Sequence, residues 1–85
     1  MMRYKYIDHP FCQNLRNLMY SANTVQKISS AEIADGVGIN YGTLMIYRRG
    51  EWLPNIQNLL KLADYFGVST DYLLGREGYE MEENK

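Results

Sequence analysis

The apolar residues of this chain recur at helical spacing, in short stripes separated by polar turns. Ile33, Ala34 and Val37 form one apolar face, and Leu44 and Tyr47, three residues apart, form the next. Gly38, Ile39 and Asn40 lie between them. Glycine suits the residue after a helix, because without a Cβ it enters the left-handed conformation freely. Asn40 is a good N-cap for a second helix. Upstream, Ile28, Ser29, Glu32 and Ile33 make a helix-start signature: Ser29 caps, Glu32 reaches back, and Ile28 staples onto Ile33. This predicts one helix over 30–37 and another over 41–49, with Gly50 as the stop. Gly36 inside the former is unfavourable by ~1 kcal/mol relative to Ala. Either that helix ends early or a backbone approaches closely there.

The same pattern predicts three further helices. Asp8-His9-Pro10 looks like a helix start, with Asp8 as N-cap and Pro10 in the first turn. The helix covers 9–22, with Phe11, Leu15, Leu18 and Ala22 facing the core. Cys12 lies beside that stripe and reads as a small buried hydrophobe rather than a reactive thiol. His9 is a surface residue with no Cys, His or carboxylate at ligand spacing. Arg16 reads as a solvated or ion-paired residue, or a phosphate contact. Residues 23–27 are a polar connection. After a turn at 51–54, Asn55 caps a fourth helix with Leu59, Leu60, Ala63 and Phe66 buried. Gly67 ends it. Ser69 caps a fifth, Val68 staples onto Leu73, and Tyr72, Leu73 and Leu74 close the core before Gly75. Ahead of all this, Tyr4, Tyr6 and Ile7 belong to a short strand or an arm, with a partly ordered extension as the plainer reading.

Length limits what this pattern can build. Eighty-five residues hold one small domain. The expected division is an arm over 1–8, a domain over 9–75 and an acidic tail over 76–85. With 46% hydrophobic residues the chain can bury a core. The single cysteine allows no internal disulfide and no metal cluster. No apolar run suits a bilayer span, and the N-terminus has no apolar signal segment, so a cytoplasmic location is expected. Net charge is −1, which by itself does not point to nucleic acid. Its distribution says more. Residues 10–75 carry five basic and five acidic side chains, whereas 76–85 carry four Glu against two basic residues. Arg48-Arg49 is the one adjacent basic pair. There is no Ser/His/Asp set, no paired carboxylates and no phosphate-binding glycine loop, so no enzyme, cofactor or metal is expected.

Counted from Ser30, a small residue stands fifth, Gly ninth, and apolar residues fourth, eighth, tenth, fifteenth and eighteenth. These are the steric requirements of a helix-turn-helix. With the later elements the pattern becomes IAxxxGIN…TLxxYxRG…P…LLKLAxxFGVSxDYLLG. It resembles the Cro/C1-type (XRE-family) helix-turn-helix domain of phage and bacterial repressors. The residues that carry the likeness are Ile33, Ala34, Gly38, Ile39, Thr43, Leu44, Gly50, Pro54, Leu59, Leu62, Ala63, Phe66, Gly67, Val68, Asp71, Tyr72, Leu73, Leu74 and Gly75. The likeness spans residues 11–75. It departs from the usual pattern at Ser30, where Gln is common, and at Arg48, where Glu is common.

The resemblance implies an all-α, compact five-helix bundle of the lambda-repressor-like DNA-binding type, with the third helix entering the major groove. It implies a sequence-specific transcriptional regulator of double-stranded DNA, a repressor acting as a homodimer. By family position Asn40, Tyr41, Gly42, Thr43, Met45 and Ile46 face the groove. Asn40 and Thr43 have hydrogen-bonding groups for base edges, Tyr41 for a base or phosphate, and Met45 and Ile46 can meet only apolar groups such as thymine methyls. Gly42 permits close approach of the backbone. Ser29 and Ser30 stand at a helix N-terminus suited to phosphate, and Arg48, Arg49 and Trp52 stand at the far end of the third helix, beside the DNA backbone. Plainer readings stand beside these. Met45 and Ile46 are packing or protein-binding surface, Arg48 a solvated charge, and Trp52 a lid over the core. The rival function is a protein-interaction module on the same fold, antirepressor-like or antitoxin-like, with a protein partner in place of DNA.

Overall fold

The computed structural model describes residues 4–76. The expected acidic tail therefore lies outside the described residues, apart from Arg76. Five helices make up the domain: α1 (Pro10–Thr24), α2 (Ser30–Val37), α3 (Tyr41–Arg49), α4 (Ile56–Phe66) and α5 (Thr70–Leu74). No strand occurs among the described residues; the stretch ahead of α1 is a series of turns.

α1 is the central post. It packs against α5, α3 and α2, while α2 also packs on α3 and α4, and α4 on α5. Phe11, Leu15, Met19, Ile33, Leu44, Leu62 and Leu73 are fully buried. Each such side chain contributes roughly 1.5–3 kcal/mol through loss of apolar surface to water. Cys12 is buried among them as expected. The spacing of Phe11, Leu15, Met19 and Ala22 is the true α1 stripe. Leu18 sits at its edge, half-buried. On α4 the buried pair is Leu62 and Ala63. Leu60, expected inside, is 50% exposed, because the stripe is rotated toward Leu59 and Leu62.

Two boundaries differ from expectation. His9, not Asp8, caps α1: its Nδ1 accepts from the Phe11 N–H at 3.0 Å. The His9 N–H is held by the Tyr6 carbonyl, so the chain leaves its last turn at His9, which takes the extended conformation of an N-cap. α1 also runs to Thr24, past the expected end at residue 22. Thr24 Oγ1 donates to the Tyr20 carbonyl and Asn23 Nδ2 to the Ile28 carbonyl, so these polar residues extend and close the helix rather than break it. In the loop beyond, Lys27 takes a left-handed φ of 62°.

α2 begins as its signature predicts, with Ser29 and Glu32 forming a reciprocal capping box. It does not end early at Gly36. A side chain, not a backbone, approaches there: a Cβ on Gly36 would lie 2.5 Å from Cε1 of the Tyr65 ring on α4. Gly50 does meet a backbone. Its φ is +86°, its carbonyl accepts from the Tyr6 N–H at 2.8 Å, and a Cβ would fall 2.6 Å from the Ile7 Cα. The arm is thereby seated on the C-terminal end of α3.

Candidate nucleic-acid interface

α2, the turn and α3 form one unit because each end is capped from within. Gly38 turns the chain at φ 89° and ψ 33°, and its N–H donates to the Ala34 carbonyl. Two residues later Asn40 Oδ1 accepts from the Gly42 N–H at 2.7 Å and starts α3. Gly42 has a structural reason of its own. A Cβ there would stand 3.1 Å from Asn40 Oδ1 and crowd the cap.

α3 is anchored through Leu44 and Tyr47, the only residues of the helix that are buried. Tyr47 packs edge-on against Phe11 and accepts from Asn58 Nδ2 at 2.8 Å, so α1 and α4 both hold it. That anchoring decides which residues face outward. Tyr41 and Gly42 are exposed at the N-terminal end, and Arg48 and Arg49 at the other. Thr43, Met45 and Ile46 are half-buried. Met45 and Ile46 pack part of their surface on the core and leave the rest outward. The packing reading of these two residues thus holds for the part of each side chain that touches the core.

Several expected contacts carry internal obligations. Asn40 uses its carboxamide oxygen on the cap, so its Nδ2 donors are what it presents outward. That favours an acceptor, a phosphate oxygen or a base N7 or carbonyl, over the bidentate amide–adenine pair. Ser29 Oγ accepts from the Glu32 N–H, and the Glu32 carboxylate accepts from the Ser29 N–H. A carboxylate therefore shares the α2 N-terminus. The phosphate donors that remain are the Ser29 hydroxyl proton and the first N–H groups of the helix, at Ser30 and Ala31, which have no intrahelical partner. Arg49 is engaged too: its Nε and Nη2 lie 2.6 and 2.5 Å from Glu51 Oε2. An exposed pair of this kind is worth only ~0–1 kcal/mol, so a phosphate can displace it.

Trp52 is not a lid. It is 64% exposed, and its neighbour Leu53 packs on the core in its place. The physical reason is the turn after Gly50, which points one of the two consecutive apolar side chains inward and leaves the other out. Arg16 is a residue whose position the sequence did not reveal. Its Nε donates to the Arg48 carbonyl at 2.9 Å, and Cys12 Sγ donates to the same oxygen at 3.2 Å. Cys12 and Arg16 are one turn apart, which is visible in the sequence; their common acceptor, 32 residues beyond Arg16, is not. Burial pushes the Cys12 thiol pKa up, while the charges of Arg16 and Arg48 pull against it and Asp8 adds to the rise. A cation at this carbonyl also suits the negative end of the α3 dipole. Among the described residues no cluster of His, Cys, Asp or Glu could hold a metal ion, and no helix is long and apolar enough to cross a membrane.

No family model matches the chain. Individual proteins do. The chain is 36% identical over 73 residues to the cryptic phage CTXphi transcriptional repressor RstR of Vibrio cholerae serotype O1, covering 86% of this chain and 60% of the relative. The HTH-type transcriptional regulator ImmR of Bacillus subtilis is 35% identical over 65 residues, 76% of this chain and 48% of its own length. Among solved structures, the restriction-modification controller protein C.AhdI of Aeromonas hydrophila superposes with a TM-score of 0.62 at 26% identity, over 75% of this chain and 91% of that one. The domain has an all-helical helix-turn-helix fold like that of these regulators, and it resembles the Cro/C1 type. The likeness covers the domain rather than whole relatives: the chain spans about half to three-fifths of the length of the two curated regulators. Within this fold α2 and α3 are the helix-turn-helix, and α3 is the helix whose outward face the internal caps define.

Proposed function

We propose that this protein is a sequence-specific double-stranded DNA-binding transcriptional regulator, acting as a repressor and reading the major groove with α3. The observation that carries the proposal is the orientation of that helix. Leu44 and Tyr47 turn inward and leave Tyr41, Gly42 and the outer parts of Thr43, Met45 and Ile46 on one open face. The Asn40 amide joins that face. Ser29 and Ser30 at the α2 N-terminus, with Arg48, Arg49 and Trp52 beyond α3, would meet the flanking phosphates. The named relatives, RstR as a transcriptional repressor and ImmR as a transcriptional regulator, support the same reading. A cytoplasmic homodimer fits it, because repeated half-sites match a two-fold protein. So does a division into an arm over 1–8, the domain over 9–75 and a tail over 76–85.

A protein-interaction role is the rival, favoured by the balanced charge of residues 10–75 and by Ile56 and Leu60, one turn apart and exposed on α4. Selection of binding sites from random duplex DNA, with titration at several salt concentrations, separates the two. The regulator reading expects a recurring half-site, in symmetric pairs, and affinity that falls steeply with salt. Stoichiometric capture of a protein partner with no duplex affinity would replace it with the rival.

A further inference from the structure

Arg16 and Arg48 meet at one corner of the fold, where among the described residues neither has a carboxylate in salt-bridge contact. The Nε of Arg16 is held on the Arg48 backbone carbonyl at 2.9 Å, which fixes its guanidinium beside the C-terminal end of α3. Both residues are exposed. Both act electrostatically on the same thiol, that of Cys12, which places the two charges in one neighbourhood. Asp8 also acts on that thiol, and it has an interaction of its own. Arg49, next in the chain, is already paired with Glu51. Among the described residues neither Arg16 nor Arg48 has a carboxylate in salt-bridge contact. The fold thus brings Arg16 of α1 to the backbone of Arg48, so two exposed arginines from helices distant in sequence share the C-terminal end of α3, and among the described residues neither is ion-paired.

We propose that Arg16 and Arg48 together clamp one phosphate of the DNA backbone at the C-terminal end of α3. This rests on the DNA-binding reading above and adds to it a residue from outside the helix-turn-helix. Guanidinium suits the task, since its planar fork of donors matches two phosphate oxygens at once. Arg16 spends one donor on the carbonyl and keeps its terminal Nη groups for the ligand. That internal bond aims the side chain before DNA arrives, so less freedom is lost on binding. The occupant is a phosphodiester rather than a carboxylate of a protein partner, because the corner adjoins the outward face of α3.

The test uses the full chain and a duplex selected from random DNA. The slope of log K against log salt is measured for the wild type, R16Q, R48Q, the double variant and R16K. Urea midpoints verify that each variant folds; R48Q retains the backbone carbonyl that holds Arg16. One shared phosphate predicts that each Gln variant flattens the slope by about one unit, that the double variant also loses about one, and that R16K keeps the wild-type slope. R48E supplies a second route. It gives Arg16 an internal carboxylate, so the urea midpoint should rise or hold while duplex affinity falls. A loss of two units in the double variant means two separate phosphates and overturns the clamp. An unchanged slope in R16Q overturns it as well. Matching responses to inorganic phosphate alone, without duplex, would reassign the corner to free anions and overturn the backbone assignment. Wild-type protein with no salt-dependent duplex binding would sink the regulator reading itself, a result distinct from normal binding with silent arginine variants.

Discussion

The phenol of Tyr47 accepts a hydrogen bond from Asn58 Nδ2 at 2.8 Å, and this bond ties α3 to α4 across the back of the helix-turn-helix. Tyr47 is 6% exposed and Asn58 half-buried, so the amide is only partly able to turn to water if the hydroxyl is lost. Tyr47→Phe keeps the edge-on contact with Phe11 and removes only the acceptor. A loss of about 1 kcal/mol is expected, within the range for one net hydrogen bond and a newly unpaired donor. It should appear as a lower urea midpoint at constant slope. An unmoved midpoint would mean that packing alone positions α3.

Gly36→Ala tests the contact between α2 and α4. On helix propensity alone the change should stabilise by ~1 kcal/mol. Here the new methyl would lie 2.5 Å from the Tyr65 ring, which itself packs edge-on against Phe66. The ring cannot swing away without disturbing that pair. The expected result is a lower urea midpoint, reversed toward a gain when Gly36→Ala is made in a Tyr65→Ala background. A gain in the wild-type background would show that the ring yields freely.

Much of the fold was legible because it is written in local chemistry. The Ser29–Glu32 capping box, the Asn40, Asn55 and Ser69 caps and the left-handed glycines at 38, 50, 67 and 75 all lie where the residues predict them. What was not legible depends on partners far along the chain. Leu60 has the right type for the core, but the rotation of α4 against α2 leaves it outside. His9 became the cap because Tyr6 draws the preceding turn tight. Trp52 and Leu53 are adjacent and apolar, and only the path after Gly50 decides which goes in. For the candidate site the residues on α3 came from family position, and the burial of Leu44 and Tyr47 is what leaves their side of the helix outward. The Ser29 and Asn40 caps were legible, but the pairing of Arg49 with Glu51 was not, since a residue two positions on carries no helical-spacing signal.

Gly38 and Tyr41 separate backbone geometry from recognition. Nothing lies within 4 Å of the place a Gly38 Cβ would take, so the strain of a substitution there comes from its φ of +89° alone. Gly38→Val should cost ~1–3 kcal/mol and misplace α3. Tyr41 is 51% exposed. Tyr41→Ala should leave the urea midpoint almost unchanged and weaken binding to a selected duplex. Unfolding by Tyr41→Ala, with normal affinity in the folded fraction, would mean that the register of α3 is wrong.

Cys12 supplies a pH dependence. Burial raises its pKa in the folded chain, so the folded state holds the proton more tightly than the unfolded one. Its contribution to stability is full below the unfolded pKa, about 8.5, and is lost as pH rises through the folded value. The urea midpoint should therefore fall as pH climbs above about 8.5, and Cys12→Ala should flatten that fall. Identical pH profiles for the two proteins would show that the thiol ionises equally well in both states.

The central claim is that the outward face of α3, between Asn40 and Ile46, meets the bases. It is tested most directly by titrating a selected duplex into isotope-labelled protein and tracking every backbone amide by NMR. The account predicts that the largest shifts fall on residues 40–46, with a second group at Ser29, Ser30 and Ala31 and a third around Arg16, Arg48 and Arg49. Core amides near Leu62 and Leu73 should barely move. Shifts concentrated on Ile56 and Leu60 of α4, with residues 40–46 silent, would contradict it.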